Sequence, residues 1–392
     1  MKLLMRTKRF VVGCLLLFLL PALCVGGQVD ASTLKGKVMC GYQGWFNTPD
    51  DGMDLEWMHW TKNRRKAFGP GNVSVDLWPD VSELGADERV ATAFRHADGG
   101  VAEVFSSANR MTVRRHFEWM QDYGIDGAFL QRFANGIGNA RLMRHKNVVL
   151  ANVRDAARES GRVYAVMYDL SGLPAGGTKR VHHDWKRLRM ERRVTADTGY
   201  LHHEGKPVVA VWGVGFNDGR NYSLKECRAL IELLKRDGCA VMLGVPTGWR
   251  EQNLDSIKDP GLHDVIRLAD IVSPWTVGRY RDPKSVERHG QRTWKPDLEW
   301  CAGQELDFLP VVFPGFSWHN LKGARLDQIP RLKGRFLWSQ FVAAKRAGAE
   351  MIYVAMFDEV DEATAIFKCT NNPPVGEGVI GSGERKIEKK NL

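Results

Sequence analysis

The sequence predicts an α/β chain, specifically a single-domain (β/α)8 TIM barrel with long βα loops. Three observations carry that prediction. Short apolar, β-rich runs alternate with longer helical stretches from residue 35 onward. Several runs are apolar on both faces, as a parallel sheet covered by helices requires. The alternation fills residues 35–370 without a Pro/Ser-rich linker or internal repeat, which favours a barrel over a doubly wound sheet.

The β-type runs are residues 38–46, 73–78, 126–133, 162–170, 207–214, 240–246, 271–275, 309–316 and 350–357. Helical patterns occupy 112–123, 142–160, 224–237 and 334–347. Nine runs compete for eight strand positions, and the polar-flanked run 73–78 is the one to leave out. Residues 371–392 form a polar tail.

The first 26 residues read as a signal peptide. Lys2, Arg6, Lys8 and Arg9 precede an apolar stretch that ends at Pro21 and small residues. A spanning helix needs about 20 apolar residues, more than this stretch supplies. The expected location is therefore secreted or periplasmic. Cys24 offers a route to lipid anchoring at the outer cell envelope, although Leu23 stands where a small residue is wanted. Those four leader cations belong to a net charge of +10, so the remaining chain carries +6. What is left is scattered, apart from clusters at 62–66 and 186–193, and argues against a nucleic-acid partner. Beyond the leader lie Cys40, Cys227, Cys239, Cys301 and Cys369. An odd number leaves at least one free or paired between chains, and no CxxC spacing suggests structural zinc.

Barrel chemistry sits at the C-terminal strand ends. Those ends read Gly41-Tyr-Gln-Gly-Trp-Phe46, Phe129-Leu-Gln-Arg-Phe133, Met167-Tyr-Asp-Leu-Ser-Gly172, Trp212, Thr247-Gly-Trp249, Ser273-Pro-Trp275 and Phe316-Ser-Trp-His319. Aromatic faces bordered by hydrogen-bonding groups suit a sugar ring. The last run leads directly into Asp358-Glu-Val-Asp-Glu362. Four carboxylates in five residues cost repulsion, and crowding raises some of their pKa values. In a helical turn Glu359 and Glu362 would share a face about 5–6 Å apart, as a retaining glycosidase requires. An acidic helix start is the competing reading, and calcium lacks its ligand spacing. Gly213-Val-Gly-Phe-Asn-Asp-Gly219 departs from the dinucleotide loop in its third glycine. The pairs His182-His183 and His202-His203 are poorly placed for a metal, so neither metal nor cofactor is expected.

The order of these motifs, with Tyr123-Gly-Ile-Asp-Gly127 and Gly205-Lys-Pro-Val-Val209, resembles the glycoside hydrolase family 99 and family 71-like group. The resemblance runs from about Val38 to Phe367. It implies a (β/α)8 endo-α-1,2-mannosidase or mannanase. In its approximate motif Asn-Glu-Trp-His-Glu-Gly-Thr, the two glutamates correspond to Glu359 and Glu362, and the threonine to Thr364. By resemblance, Glu362 is the general acid/base. Glu359 is the base on the substrate 2-hydroxyl, giving retention through a 1,2-anhydro sugar without metal. Asp358, Val360, Asp361 and Ala363 differ from the motif. Bacterial relatives are often labelled xylosidase/arabinosidase.

The expected function is thus an exported retaining glycoside hydrolase cleaving a poly- or oligosaccharide at an α-mannosidic bond. Glu359 and Glu362 are the catalytic residues, and Tyr42, Gln131, Arg132, Tyr168, Asp169, Trp212 and Trp275 line the sugar subsites. The alternatives are a non-catalytic carbohydrate-binding barrel and an exo-acting glycosidase of other specificity.

Overall fold

A computed structural model describes residues 27–376. The leader and most of the polar tail lie outside the described residues. None of the described helices is long and apolar enough to cross a membrane.

The parallel strands are β1 (Val38–Tyr42), β4 (Gly127–Phe133), β5 (Val163–Asp169), β7 (Lys206–Trp212), β8 (Ala240–Pro246) and β9 (Ile271–Trp275). They are followed by the short β10 (Asp307–Phe308), β11 (Val311–Val312) and β12 (Ile352–Val354). Their order is β10-β9-β8-β7-β5-β4-β1-β12-β11, a curled α/β sheet of TIM-barrel-like form. β10 pairs with β9 while β11 pairs with β12. Pro310 separates these two halves and offers the ladder no N–H. The Leu309 N–H donates to the Val272 carbonyl, and Pro310 accepts from the Tyr353 N–H.

Helices α1 (Arg110–Asp122), α2 (Ala140–Ser160), α3 (Thr178–Met190), α4 (Leu224–Arg236) and α9 (Arg335–Ala347) cover the sheet. Between the last strands lie α5 (Gly261–Ile266), α6 (Pro283–His289), α7 (Lys295–Ala302) and α8 (His319–Lys322). Their starts are legible locally. Asn109 and Asn139 cap α1 and α2, and Ser223 with Glu226 forms a capping box at α4. A two-stranded antiparallel unit, β2 (Val90–Arg95) with β3 (Val101–Val104), interrupts the alternation after β1. The short β6 (His202–His203) pairs with the start of β7.

The run 73–78 is not a strand, as its polar flanks suggest. It buttresses the acidic turn instead: Asp76 and Leu77 donate their N–H groups to the Val360 carbonyl. The Asp76 carboxylate in turn accepts the N–H groups of His319 and Asn320. Runs 309–316 and 350–357 shrink to β11 and β12, because the chain leaves the ladder early to build the site. Cys40, Cys227, Cys239, Cys301 and Cys369 are all free thiols.

Candidate active site

The site begins where β1 passes the turn that follows β12. At Gly41 the space a Cβ would take is filled by the Met356 side chain, 2.2 Å away, and by the Tyr353 hydroxyl at 2.5 Å. The Gly41 carbonyl accepts the Phe357 N–H at 2.7 Å. Gly44 takes a left-handed φ of 56°, which turns its own N–H and that of Gln43 onto one carboxylate. Asp358 accepts both, at 2.7 and 2.8 Å. Burial nevertheless pushes Asp358 up to about 7, against the pull of those two donors.

Residues 358–363 form an irregular turn, not the helical turn that the spacing suggested. Ala363 adopts a positive φ of 55°, and the Glu359 carbonyl takes the N–H groups of Thr364 and Ala365. The two glutamates still face each other electrostatically. Glu359 is buried, with Gln43 donating Nε2–H to Oε1 at 2.6 Å and Thr364 donating its hydroxyl to Oε2 at 2.5 Å. Burial, then Glu362, then Asp361 raise its pKa well above the usual carboxylate range. Glu362 is only half-buried. Burial and Asp361 lift it to about 7, while Trp318 and Lys322 hold it down. Burial, reinforced by crowding, therefore keeps a proton on the pair near neutral pH.

Asp361 reaches His59 Nδ1 at 3.0 Å, and the His59 ring stacks on Trp45 with centroids 3.8 Å apart. Beside these groups opens a cavity of about 340 Å³, lined by Gln43, Trp45, His59, Gln131, Phe133 and Lys146 among others. Gln131 Nε2 donates to the Tyr353 hydroxyl at 3.1 Å. Asp169, raised by burial, contributes to the field on Glu362. Trp212 and Trp275 end their strands half-buried, with ring centroids 5.4 Å apart, and Arg220 lies 5.0 Å over Trp212. Among the described residues, the indole N–H groups of Trp45 and Trp212 have no hydrogen-bond partner.

Three expected subsite residues are placed elsewhere. Arg132 is buried against Asp184 on α3, at 2.5 and 2.9 Å, and the Tyr168 hydroxyl donates to the same carboxylate at 2.8 Å. The Tyr42 hydroxyl pairs with His116 of α1 at 2.9 Å, where burial drops the imidazole to about 3 and leaves it neutral. Each of these side chains points from its strand toward the helices, so none of the three lines the cavity. Trp249 is likewise core, edge-on to Trp300 at 4.9 Å. Gln43, Trp45, His59 and Asp361 were not anticipated as site residues. For Gln43 and Trp45 the signal was available, since both lie in the Gly41–Phe46 motif.

Of the discounted histidines, His182 pairs with Asp237 at 2.9 Å. His203 donates to Asp307 at 2.7 Å and takes the Leu34 N–H on its other ring nitrogen at 3.4 Å. Among the described residues, His203, Glu204 and Asp307 are the one group with ligand atoms close enough for a metal, away from the acidic turn. Both nitrogens of His203 are already engaged.

No family model and no curated protein matches the chain by sequence. Solved structures do. The family 99 endo-α-mannosidase from Bacteroides thetaiotaomicron, in complex with bis-tris propane, superposes with a TM-score of 0.60 at 15% identity, covering 88% of each chain. A second structure of that enzyme gives 0.60 at 14% identity, covering 88% of this chain and 89% of its own. A glycoside hydrolase-like protein gives 0.50 at 12% identity, covering 80% and 91%. At these identities the likeness establishes the fold, and it lies where the strand-end motifs pointed. The chain resembles the family 99 endo-α-mannosidase structures over nearly all of its described length.

Proposed function

We propose that the protein is a retaining glycoside hydrolase that cleaves an α-mannosidic bond in a poly- or oligosaccharide. The observation that carries this reading is the pair Glu359 and Glu362, crowded in the turn after β12, which Gln43 and His59 tie to an adjacent sugar-sized cavity. The likeness to the family 99 fold supports it, as does the curled parallel sheet. Closure of that sheet as an eight-stranded barrel, with 307–312 bridging β9 and β12 as one strand, is part of the proposal. Export through residues 1–26 belongs to the same proposal.

In this scheme the Glu362 carboxyl gives its proton to the glycosidic oxygen as the bond from the anomeric carbon to that oxygen breaks. Glu359 takes the proton of the sugar 2-hydroxyl while that oxygen closes on the anomeric carbon. Water then attacks the same carbon, Glu362 accepts its proton, and Glu359 returns a proton to the 2-oxygen. Gln43 and Thr364 orient Glu359 and favour its charged form. Glu362, less buried than Glu359, is the member assigned to the leaving group.

Glu362→Gln tests the assignment. Hydrolysis of yeast α-mannan should fall at least about a thousandfold, while the melting temperature stays within a few degrees, since the change removes a charge from a crowded turn. A fully active variant ends the assignment. Glycan binding by the wild-type chain without turnover would favour a carbohydrate-binding barrel, and single sugars released from the start would indicate an exo-acting glycosidase.

A further inference from the structure

Of the basic cluster at residues 62–66, Arg64 reaches the cavity that adjoins the acidic turn. Arg64 lines that cavity from an exposed position, and Lys146 of α2 lines it from inside. Neither forms an ion pair among the described residues. The Lys146 ammonium stands over Gly136, where a Cβ would come within 3.0 Å of Nζ. The counter-charge that acts on it is Asp184. The nearby Asp184 is already neutralised by Arg132, which repels Lys146. Asp358, Glu359 and Asp361 are held by Gln43 and Gly44, by Gln43 and Thr364, and by His59. His145, which also lines the cavity, is kept neutral by burial, its value dropping to about 4. Among the described residues, no carboxylate lines this cavity. Farther out, past Arg64, a second hollow sets Arg141 against Asp54 and Glu56, with Asp54 taken by Arg144 at 2.7 Å.

We propose that this cavity is a subsite for an anionic sugar, a ring carrying a carboxylate, sulfate or phosphate, held by Lys146 within and Arg64 at the rim. The inference rests on the glycosidase reading for the neighbouring acid pair, and it narrows the substrate to an acidic glycan. The cavity lies in the size range of ligand pockets, and Trp45 and Phe133 supply apolar faces for the ring. An unpaired ammonium in such a site costs desolvation that an arriving anion offsets. Burial and Arg132 lower Lys146 to about 8, which still leaves it largely charged at neutral pH.

The test is titration calorimetry on full-length Glu362→Gln protein, which holds substrate without turning it over. The probes are α-manno-oligosaccharides, their 6-sulfate and 6-phosphate esters, and mannuronate oligomers of equal length. At least one anionic series should bind about tenfold or more tighter than the neutral one, and 300 mM salt should erase most of that margin. Which series wins identifies the anion. Adding Lys146→Met should remove the margin while leaving neutral binding within about twofold, Lys146→Arg should restore it, and the exposed Arg64→Gln should halve it or more. Equal affinity for neutral and anionic probes overturns the proposal, as does a loss in Lys146→Met that is the same for both. Anionic binding with no hydrolysis by the wild-type chain would sink the glycosidase reading and leave this one standing. Cleavage of neutral mannan without charge discrimination would do the reverse.

Discussion

Replacing Thr364 by valine probes the acid pair without disturbing its shape. Thr364 is buried, and its hydroxyl donates to Glu359 Oε2 at 2.5 Å, while Gln43 holds the other oxygen. Valine fills nearly the same volume but offers no donor. A hydrogen bond to a charged acceptor contributes about 1.5–3 kcal/mol, and one pKa unit corresponds to about 1.4 kcal/mol. That donor favours the ionised carboxylate, so losing it raises Glu359 by about 1–2 units above an already elevated value. The sign follows: the acidic limb of the kcat/KM profile moves to higher pH by the same amount. On that limb the rate drops about 10- to 100-fold, and the loss shrinks as pH rises past it. The assay is reducing-end release across the pH range, with melting curves beside it. Profiles that superimpose, or that fall by one factor at every pH, would refute the role given to Glu359.

Two further outcomes separate architecture from chemistry. Arg132→Met leaves the Asp184 carboxylate buried without its counter-charge, and should cost about 3–5 kcal/mol of stability in denaturant unfolding while kcat of the folded protein stays within about twofold. A stable variant with collapsed kcat would return Arg132 to the site. Trp212→Ala should raise KM for the glycan with a melting temperature near that of the parent, whereas Trp249→Ala should lower the melting temperature sharply, because only the second ring is fully buried.

The alternation of runs and helices was enough to read the α/β fold, and four acids after an apolar strand were enough to locate a crowded, buried acidic turn. Orientation was harder. Gln131 and Arg132 are neighbours on β4 and must point to opposite sides, but nothing local says which side is the cavity. The answer is set by Asp184, 52 positions away on a helix. Tyr168 beside Asp169 poses the same ambiguity, and the same Asp184 resolves it. Gln43 acts on a glutamate 316 residues distant, and His59 on an aspartate 302 away, so their roles exist only in the folded chain. The strand at 350–357 was overextended because its apolar pattern continues past Val354, where the backbone leaves the sheet to form the turn.

The central claim is that Glu359 and Glu362 perform hydrolysis with retention. The direct measurement is proton NMR of the wild-type protein mixed with α-mannan oligosaccharides, following the first anomeric signal to appear. The account predicts an α-configured reducing end that later mutarotates to the equilibrium mixture. A β-configured first product, or none from any glycan that binds, would contradict it.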